Sequence, residues 1–197
     1  MRLILHLSVS LIFWLSTLSS AENLAGDKWS ANHMVQSLHE LSARDIAGKE
    51  LQFDKALQGK VTLVVNVASK CGYTASNYEG FKRLKSRFKD SLEIVAFPCN
   101  QFAGQEPDSA DQIKAFAESH GFEGLLMEKI SVNGPGLMHP VYKFLKEGSR
   151  DVSPIEWNFV KFLVRPDGTV HSRFGAQTNP EDLAPHIEAL LSVDAEL

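Results

Sequence analysis

The two cysteines are the residues of this 197-residue chain with the clearest capacity for chemistry. Cys71 follows Val61–Val67, an apolar and largely β-branched run that predicts a strand buried on both faces, and a helix is predicted to begin soon after it. A thiol near a helix N-terminus meets a partial positive charge and free backbone N–H groups, which favour the thiolate, and Lys70 adds to that field. A buried structural cysteine is the alternative, but the polar loop at 69–74 favours a reactive Cys71.

The residue type at position 74 indicates which thiol chemistry to expect. A dithiol oxidoreductase carries Cys-x-x-Cys, so that its second thiol can resolve a mixed disulfide. Thr74 occupies that fourth position here, and Cys71 is therefore predicted to attack alone. A solitary, accessible thiolate suits peroxide reduction, in which the sulfur attacks the O–O bond and becomes a sulfenic acid.

The hydrophobic pattern predicts the elements that must position Cys71. Strands are expected at 38–41, 50–53, 61–67, 92–97, 159–164 and 169–174, and helices at 78–88, 108–119, 140–146 and 181–191. Strand-helix-strand crossovers imply a parallel centre, and hairpins imply antiparallel edges. We therefore predict an α/β chain with a thioredoxin-like fold, in which helices flank a mixed central sheet and a hairpin lies at the N-terminal side.

Composition excludes several classes of protein. The formal charge of −4 without a long basic run gives no reason to expect nucleic-acid binding. Two cysteines exclude a disulfide-stapled scaffold and a four-cysteine zinc site. The seven histidines are scattered, with no His-x-x-x-His pair, so no metal site is predicted.

The N-terminal residues 1–21 are predicted to be a secretory signal peptide. Arg2 precedes an apolar run of about 16 residues, and the small residues at 19–21 favour cleavage after Ala21. A membrane anchor is the alternative, but the run is shorter than the roughly 20 residues that a spanning helix needs. We expect a protein of the secretory pathway without stable membrane insertion, secreted or held in the endoplasmic reticulum lumen. Residues 22–37 are expected to form a flexible lead-in, 38–192 one domain and 193–197 an acidic tail.

Four blocks of sequence stand out in the chain: Asn-Val-Ala-Ser-Lys-Cys-Gly-Tyr-Thr at 66–74, Phe-Pro-Cys-Asn-Gln-Phe at 97–102, Gly-Gln-Glu-Pro at 104–107 and Trp-Asn-Phe-Val-Lys-Phe-Leu at 157–163. In this order, and over about residues 38–191, the chain resembles the glutathione peroxidases. The resemblance implies a thiol peroxidase that reduces hydrogen peroxide and organic or lipid hydroperoxides, with glutathione or another thiol as co-substrate and no bound cofactor.

The same resemblance implies a catalytic tetrad. Cys71 matches the peroxidatic selenocysteine or cysteine, and Gln105, Trp157 and Asn158 match the other three members. The amides and the indole are neutral N–H donors. Converging on the sulfur, they would stabilise a thiolate and the charge on the departing oxygen.

The chain departs from the family pattern at its resolving residue. Many cysteine-containing members carry a resolving cysteine where this chain has Glu118, which leaves the thioredoxin-dependent route in doubt. Either an external thiol such as glutathione reduces Cys71, or Cys99 is the resolving thiol; a buried small apolar role for Cys99 is the alternative.

Two further expectations follow from the resemblance. Secretory members can pass their oxidation to protein disulfide isomerase, so a redox relay is the second hypothesis; a non-catalytic protein with this fold is the third, and the complete tetrad opposes it. The short segment at 139–157 lacks the extra loop of tetrameric members, which implies a monomer.

Overall fold

The computed structural model of the chain describes residues 34–194. The predicted signal peptide, most of the predicted lead-in and the last three residues lie outside this part. The strands within it are β1 (Ser42–Arg44), β2 (Glu50–Gln52), β3 (Val61–Val67), β4 (Leu92–Pro98), β5 (Leu125–Leu126), β6 (Lys161–Val164) and β7 (Val170–Phe174). The α-helices are α1 (Phe53–Leu57), α2 (Thr74–Phe88), α3 (Ala110–Ser119), α4 (Pro140–Gly148) and α5 (Ala184–Asp194).

The central sheet has the order β5-β4-β3-β6-β7. Strand β3 pairs parallel to β4, and β4 pairs parallel to β5, whereas β6 and β7 continue the sheet antiparallel on the other side of β3. The predicted mixed sheet flanked by helices is confirmed, and with it the thioredoxin-like α/β fold. The edges of the central sheet differ from the prediction, which had hairpins at the edges. One edge strand, β5, is parallel to its neighbour, and the N-terminal hairpin of β1 and β2 forms a separate two-stranded sheet.

The alternation of side chains along β3 and β4 divides the core between two faces of the sheet. Val61, Leu63, Val65 and Val67 pack with α2, α3 and α5, which we call the α2 face. Val64, with Val95 and Phe97 of β4, packs with α1 and α4, which we call the α4 face. All seven residues of β3 are buried, as expected for a strand covered by helices on both faces.

Local boundaries differ from prediction where elements are short. Leu38–Glu40 is a 3₁₀ turn, so the first hairpin strand is β1, and Phe53 begins α1 rather than ending a strand. Helix α1 has five residues and β5 has two, too few to show a helical or strand period. Among residues 34–194, no helix has the length and apolar character needed to cross a bilayer.

Candidate active site

Cys71 lies in the loop between β3 and α2 and is partly exposed. Its N–H donates to Thr74 Oγ1 over 3.2 Å, and that hydroxyl donates to Ala68 O over 2.7 Å. The Thr74 N–H donates in turn to Cys71 O over 3.1 Å. Thr74, at the position where a dithiol enzyme has its second cysteine, is therefore hydrogen-bonded to both sides of the Cys71 loop at the start of α2.

A second set of contacts joins the Cys71 loop to the segment after β4. The N–H of Lys70 donates to Gln105 O over 3.0 Å. The Lys70 ammonium pairs with Asp108 at 2.9 Å, which offsets the field that it was expected to exert on Cys71. These contacts place Gln105 directly beside the loop that carries the thiol.

Glu106, which the sequence reasoning did not single out, is bonded to the loop that carries Cys71. Its carboxylate is buried and accepts hydrogen bonds from the Ser69 N–H and, over 2.9 Å, from Ser69 Oγ. Burial raises the pKa of Glu106, against the lowering effects of the Ser69 hydrogen bonds and of Lys129. The sequence offered one signal for Glu106, its place next to Gln105 in the Gly-Gln-Glu-Pro block. Its burial was not predictable, because a glutamate is rarely buried without partners.

Gln105 and Asn158, separated by 53 positions in sequence, form one amide pair. Asn158 is fully buried, and its Nδ2 donates to Gln105 Oε1 over 2.9 Å. This bond orients the Gln105 amide with its NH₂ end away from Asn158. Asn158 thereby fixes the orientation of the Gln105 side-chain amide.

Trp157 is partly buried at the end of the same segment. Its ring lies 6.0 Å from the ring of Phe102, and its carbonyl accepts a hydrogen bond from Asn66 Nδ2 over 3.0 Å. With Tyr73, two residues after Cys71, Trp157 lines an open cleft of about 420 Å³ together with Glu156 and residues 175–177. The cleft opens to solvent beside the segment that carries Trp157.

Cys99 occupies a different environment from Cys71. Its thiol is fully buried on the α4 face, with Sγ 3.6 Å from Gln101 Oε1, and burial raises its pKa. Cys71 packs at the edge of the α2 face, and both thiols are free. Because the two side chains belong to opposite faces of the sheet, a Cys71–Cys99 disulfide requires rearrangement of this structure.

The structure thus bonds the residue before Cys71 to Gln105 and bonds Gln105 to Asn158, and Trp157 directly precedes Asn158 in the chain. It leaves Cys99 in the core. Among residues 34–194, no three His, Cys, Asp or Glu side chains are grouped so that they could hold a metal ion.

A thioredoxin-like sheet with a partly exposed cysteine after its central strand is typical of thiol-dependent oxidoreductases. A sequence model described as glutathione peroxidase matches residues 38–146. Glutathione peroxidase 1, mitochondrial, of Chlamydomonas reinhardtii is 49% identical over 174 residues, or 86% of each chain. Glutathione peroxidase 2 of Caenorhabditis elegans is 48% identical over 161 residues, covering 80% of this chain and 98% of that protein.

The solved structures agree. The crystal structure of T. cruzi GPX1 has a TM-score of 0.64 and 32% identity, covering 80% of this chain and 97% of that one. A thioredoxin-family protein from Chlorobium tepidum, with a TM-score of 0.58 and 14% identity, shows the shared fold. The chain belongs to the glutathione peroxidase family, and it is a peroxidase of that class.

Proposed function

We propose that the chain reduces hydrogen peroxide and organic or lipid hydroperoxides through Cys71, using an external thiol. The observation that carries this proposal is the position of Cys71: it is the partly exposed thiol of the two, in a loop hydrogen-bonded to the Gln105–Asn158 pair. Gln105, Trp157 and Asn158 complete the proposed tetrad.

The oxidising half-reaction needs a thiolate and neutral donors. The Cys71 sulfur attacks the peroxide O–O bond, an S–O bond forms, and the second oxygen leaves as water or an alcohol after taking up a proton. The N–H groups of Gln105 and Trp157 stabilise the charge that develops on sulfur and on the departing oxygen. Neither donor titrates, so neither competes for the proton.

The reducing half-reaction is proposed to use thiols from outside the chain. A first thiol displaces water from the sulfenic acid to form a mixed disulfide, and a second thiol releases the Cys71 thiolate and leaves with the first as a disulfide. Glu118, at the expected resolving position in α3, is exposed and pairs with Lys114 at 3.9 Å. With Cys99 on the opposite face, glutathione or a protein thiol is the reductant that the geometry favours.

We also propose partner proteins, an oligomeric state and a compartment. Thioredoxin and protein disulfide isomerase-like proteins are the candidate protein reductants, and the open cleft beside Trp157 leaves room for glutathione or a partner loop. We propose a monomer that acts in the secretory pathway, on the sequence of its N-terminal residues and the short segment at 139–157.

The test follows the two thiols separately. Reduced protein is mixed with hydrogen peroxide with and without glutathione, and the quenched products are mapped by mass spectrometry. We expect a sulfenic acid and then a glutathione adduct at Cys71, no turnover in Cys71→Ser, and turnover within twofold of wild type in Cys99→Ala. Turnover in Cys71→Ser contradicts the proposal. A Cys71–Cys99 disulfide that forms faster than the adduct supports the relay instead.

A further inference from the structure

Lys161 is a fully buried lysine at the start of β6. Its register partners are Val65 on β3 and Phe174 on β7, so its side chain lies on the α2 face, the face against which Cys71 packs. Within residues 34–194 its ammonium makes one hydrogen bond, to Phe159 O over 2.7 Å, and no ion pair. The charge that acts on it is that of Asp182, in the 3₁₀ turn before α5.

A buried ammonium without an ion pair is an expensive feature. Moving a charge out of water is strongly unfavourable unless it is paired and fully hydrogen-bonded. A methionine of similar length would fill the same space without that penalty. The hydrogen bond from the Lys161 ammonium to Phe159 O therefore indicates what this lysine does.

The hydrogen bond from Lys161 is made to a turn at 157–159 whose backbone is unusual. Phe159 has a φ of 67°, in the left-handed region that bulky residues avoid. Its N–H donates to Asn66 O over 2.7 Å, and Asn66 Nδ2 donates to Trp157 O over 3.0 Å. Asn66 in β3 is thus hydrogen-bonded to both ends of the turn at 157–159. Lys161 in β6 donates to the carbonyl of Phe159, the last residue of that turn.

The two residues that precede Phe159 in this turn are Trp157 and Asn158. If the Phe159 backbone relaxed to a negative φ, the preceding peptide would rotate, and the Asn158 amide would leave its 2.9 Å bond with Gln105. A displacement of about 1 Å at a catalytic group can lower a rate by about 100-fold.

We infer that Lys161 is a positioning residue for peroxide reduction, which acts by holding the Phe159 carbonyl and thereby the Trp157–Asn158 segment. This inference rests on the proposed function of Cys71. It assigns no contact between Lys161 and the peroxide.

Lys161→Met tests the inference, because methionine keeps the length of the side chain and removes its donor. Lys146→Met is the matched control: Lys146 is also mostly buried, lies in α4, and its ammonium donates to Met138 Sδ over 3.9 Å. The measurement is the second-order rate constant for oxidation of Cys71 by hydrogen peroxide in stopped flow. We expect a fall of about 10- to 100-fold for Lys161→Met and a change below about twofold for Lys146→Met. A Lys161→Met rate within twofold of wild type overturns the inference.

A double-mutant cycle separates positioning from a general loss of structure. If Lys161 acts through the Trp157–Asn158 segment, then Lys161→Met changes the rate by less than about threefold in a background that carries both Trp157→Phe and Asn158→Ala. The full effect of Lys161→Met in that background overturns the inference. A wild-type Cys71 that does not react with peroxide refutes this inference and the proposed function together, whereas a reactive wild type with an equally reactive Lys161→Met refutes this one alone.

A measurement without any change at Lys161 covers the case of a variant that does not fold. In Cys71→Ser protein, where the thiol cannot titrate, the Phe159 carbonyl carbon and the Trp157 indole N–H are followed by NMR from pH 5.5 to 9. Burial lowers the pKa of Lys161 to about 7, with Asp182 opposing. Both signals are expected to move with a shared midpoint near that value, and a Trp157 signal that stays fixed while Phe159 moves overturns the inference.

Discussion

Replacing Lys161 with methionine is expected to stabilise the fold at neutral pH while it slows the chemistry. Burial lowers the pKa of Lys161 from 10.5 to about 7. A difference of that size corresponds to about 5 kcal/mol of free energy, which is the cost of keeping the ammonium charged inside the folded protein. Methionine removes this cost but leaves the Phe159 carbonyl without its donor, which costs about 1–3 kcal/mol. The net expectation is a gain of about 2–4 kcal/mol at pH 6.

The gain must depend on pH in one direction. In the unfolded chain Lys161 stays protonated up to about pH 10.5, whereas in the folded chain it loses its proton near pH 7. Between these values the unfolded chain binds more protons, so the stability of the wild type rises with pH. The penalty is about 5 kcal/mol at pH 6 and about 2 kcal/mol at pH 9. The advantage of Lys161→Met should therefore shrink by about 3 kcal/mol over that range.

Urea unfolding of the two proteins under reducing conditions, at four pH values from 6 to 9, measures this difference directly. Thermal unfolding at pH 6 should show a rise in Tm of about 9 °C for Lys161→Met, at about 2–4 °C per kcal/mol for a domain of this size. Other groups titrate in both proteins, so their effects cancel in the comparison. A variant less stable than wild type at pH 6, or a difference that stays flat with pH, shows that the ammonium is not an unpaired buried charge.

Three further predictions concern the contacts around the site. Thr74→Val removes the hydroxyl that closes the Cys71 loop and should lower the free energy of unfolding by about 1–3 kcal/mol, measured by urea unfolding against Thr74→Ser, which should stay near wild type. Asn158→Leu breaks the bond to Gln105 and should slow peroxide oxidation about 100-fold in stopped flow; a rate within threefold contradicts the role of the amide pair. Arg173→Met removes a mostly buried guanidinium that holds carbonyls of the loop before the tetrad tryptophan, and should destabilise the fold by about 3 kcal/mol in thermal unfolding; an unchanged Tm argues against that role.

Several elements were predictable because their signals are local. The buried run Val61–Val67 is β3 from end to end, and the helix predicted at 108–119 is α3, which Ser109 caps with Gln112 in a capping box. The spacing of apolar residues at 78–88 predicted α2, although the helix begins four residues earlier, at Thr74. The missed elements, α1 and β5, exist because neighbouring segments pair with or cover them, and neither shows a period of its own.

In the candidate site, too, only the features with a local signal were predictable from the sequence. Residue types and spacing were enough to single out Cys71 after a strand and to exclude dithiol chemistry, since both depend on positions a few residues apart. The pairing of Gln105 with Asn158, the burial of Glu106 beneath Ser69 and the separation of Cys99 from Cys71 depend on which segments meet across the sheet. Spacing within one segment carries no information about those meetings. Side chains of β3 alternate between the two faces of the sheet, and the loop after β4 and the loop before β6 lie beside the carboxyl end of β3. That arrangement exists only once the strands have paired.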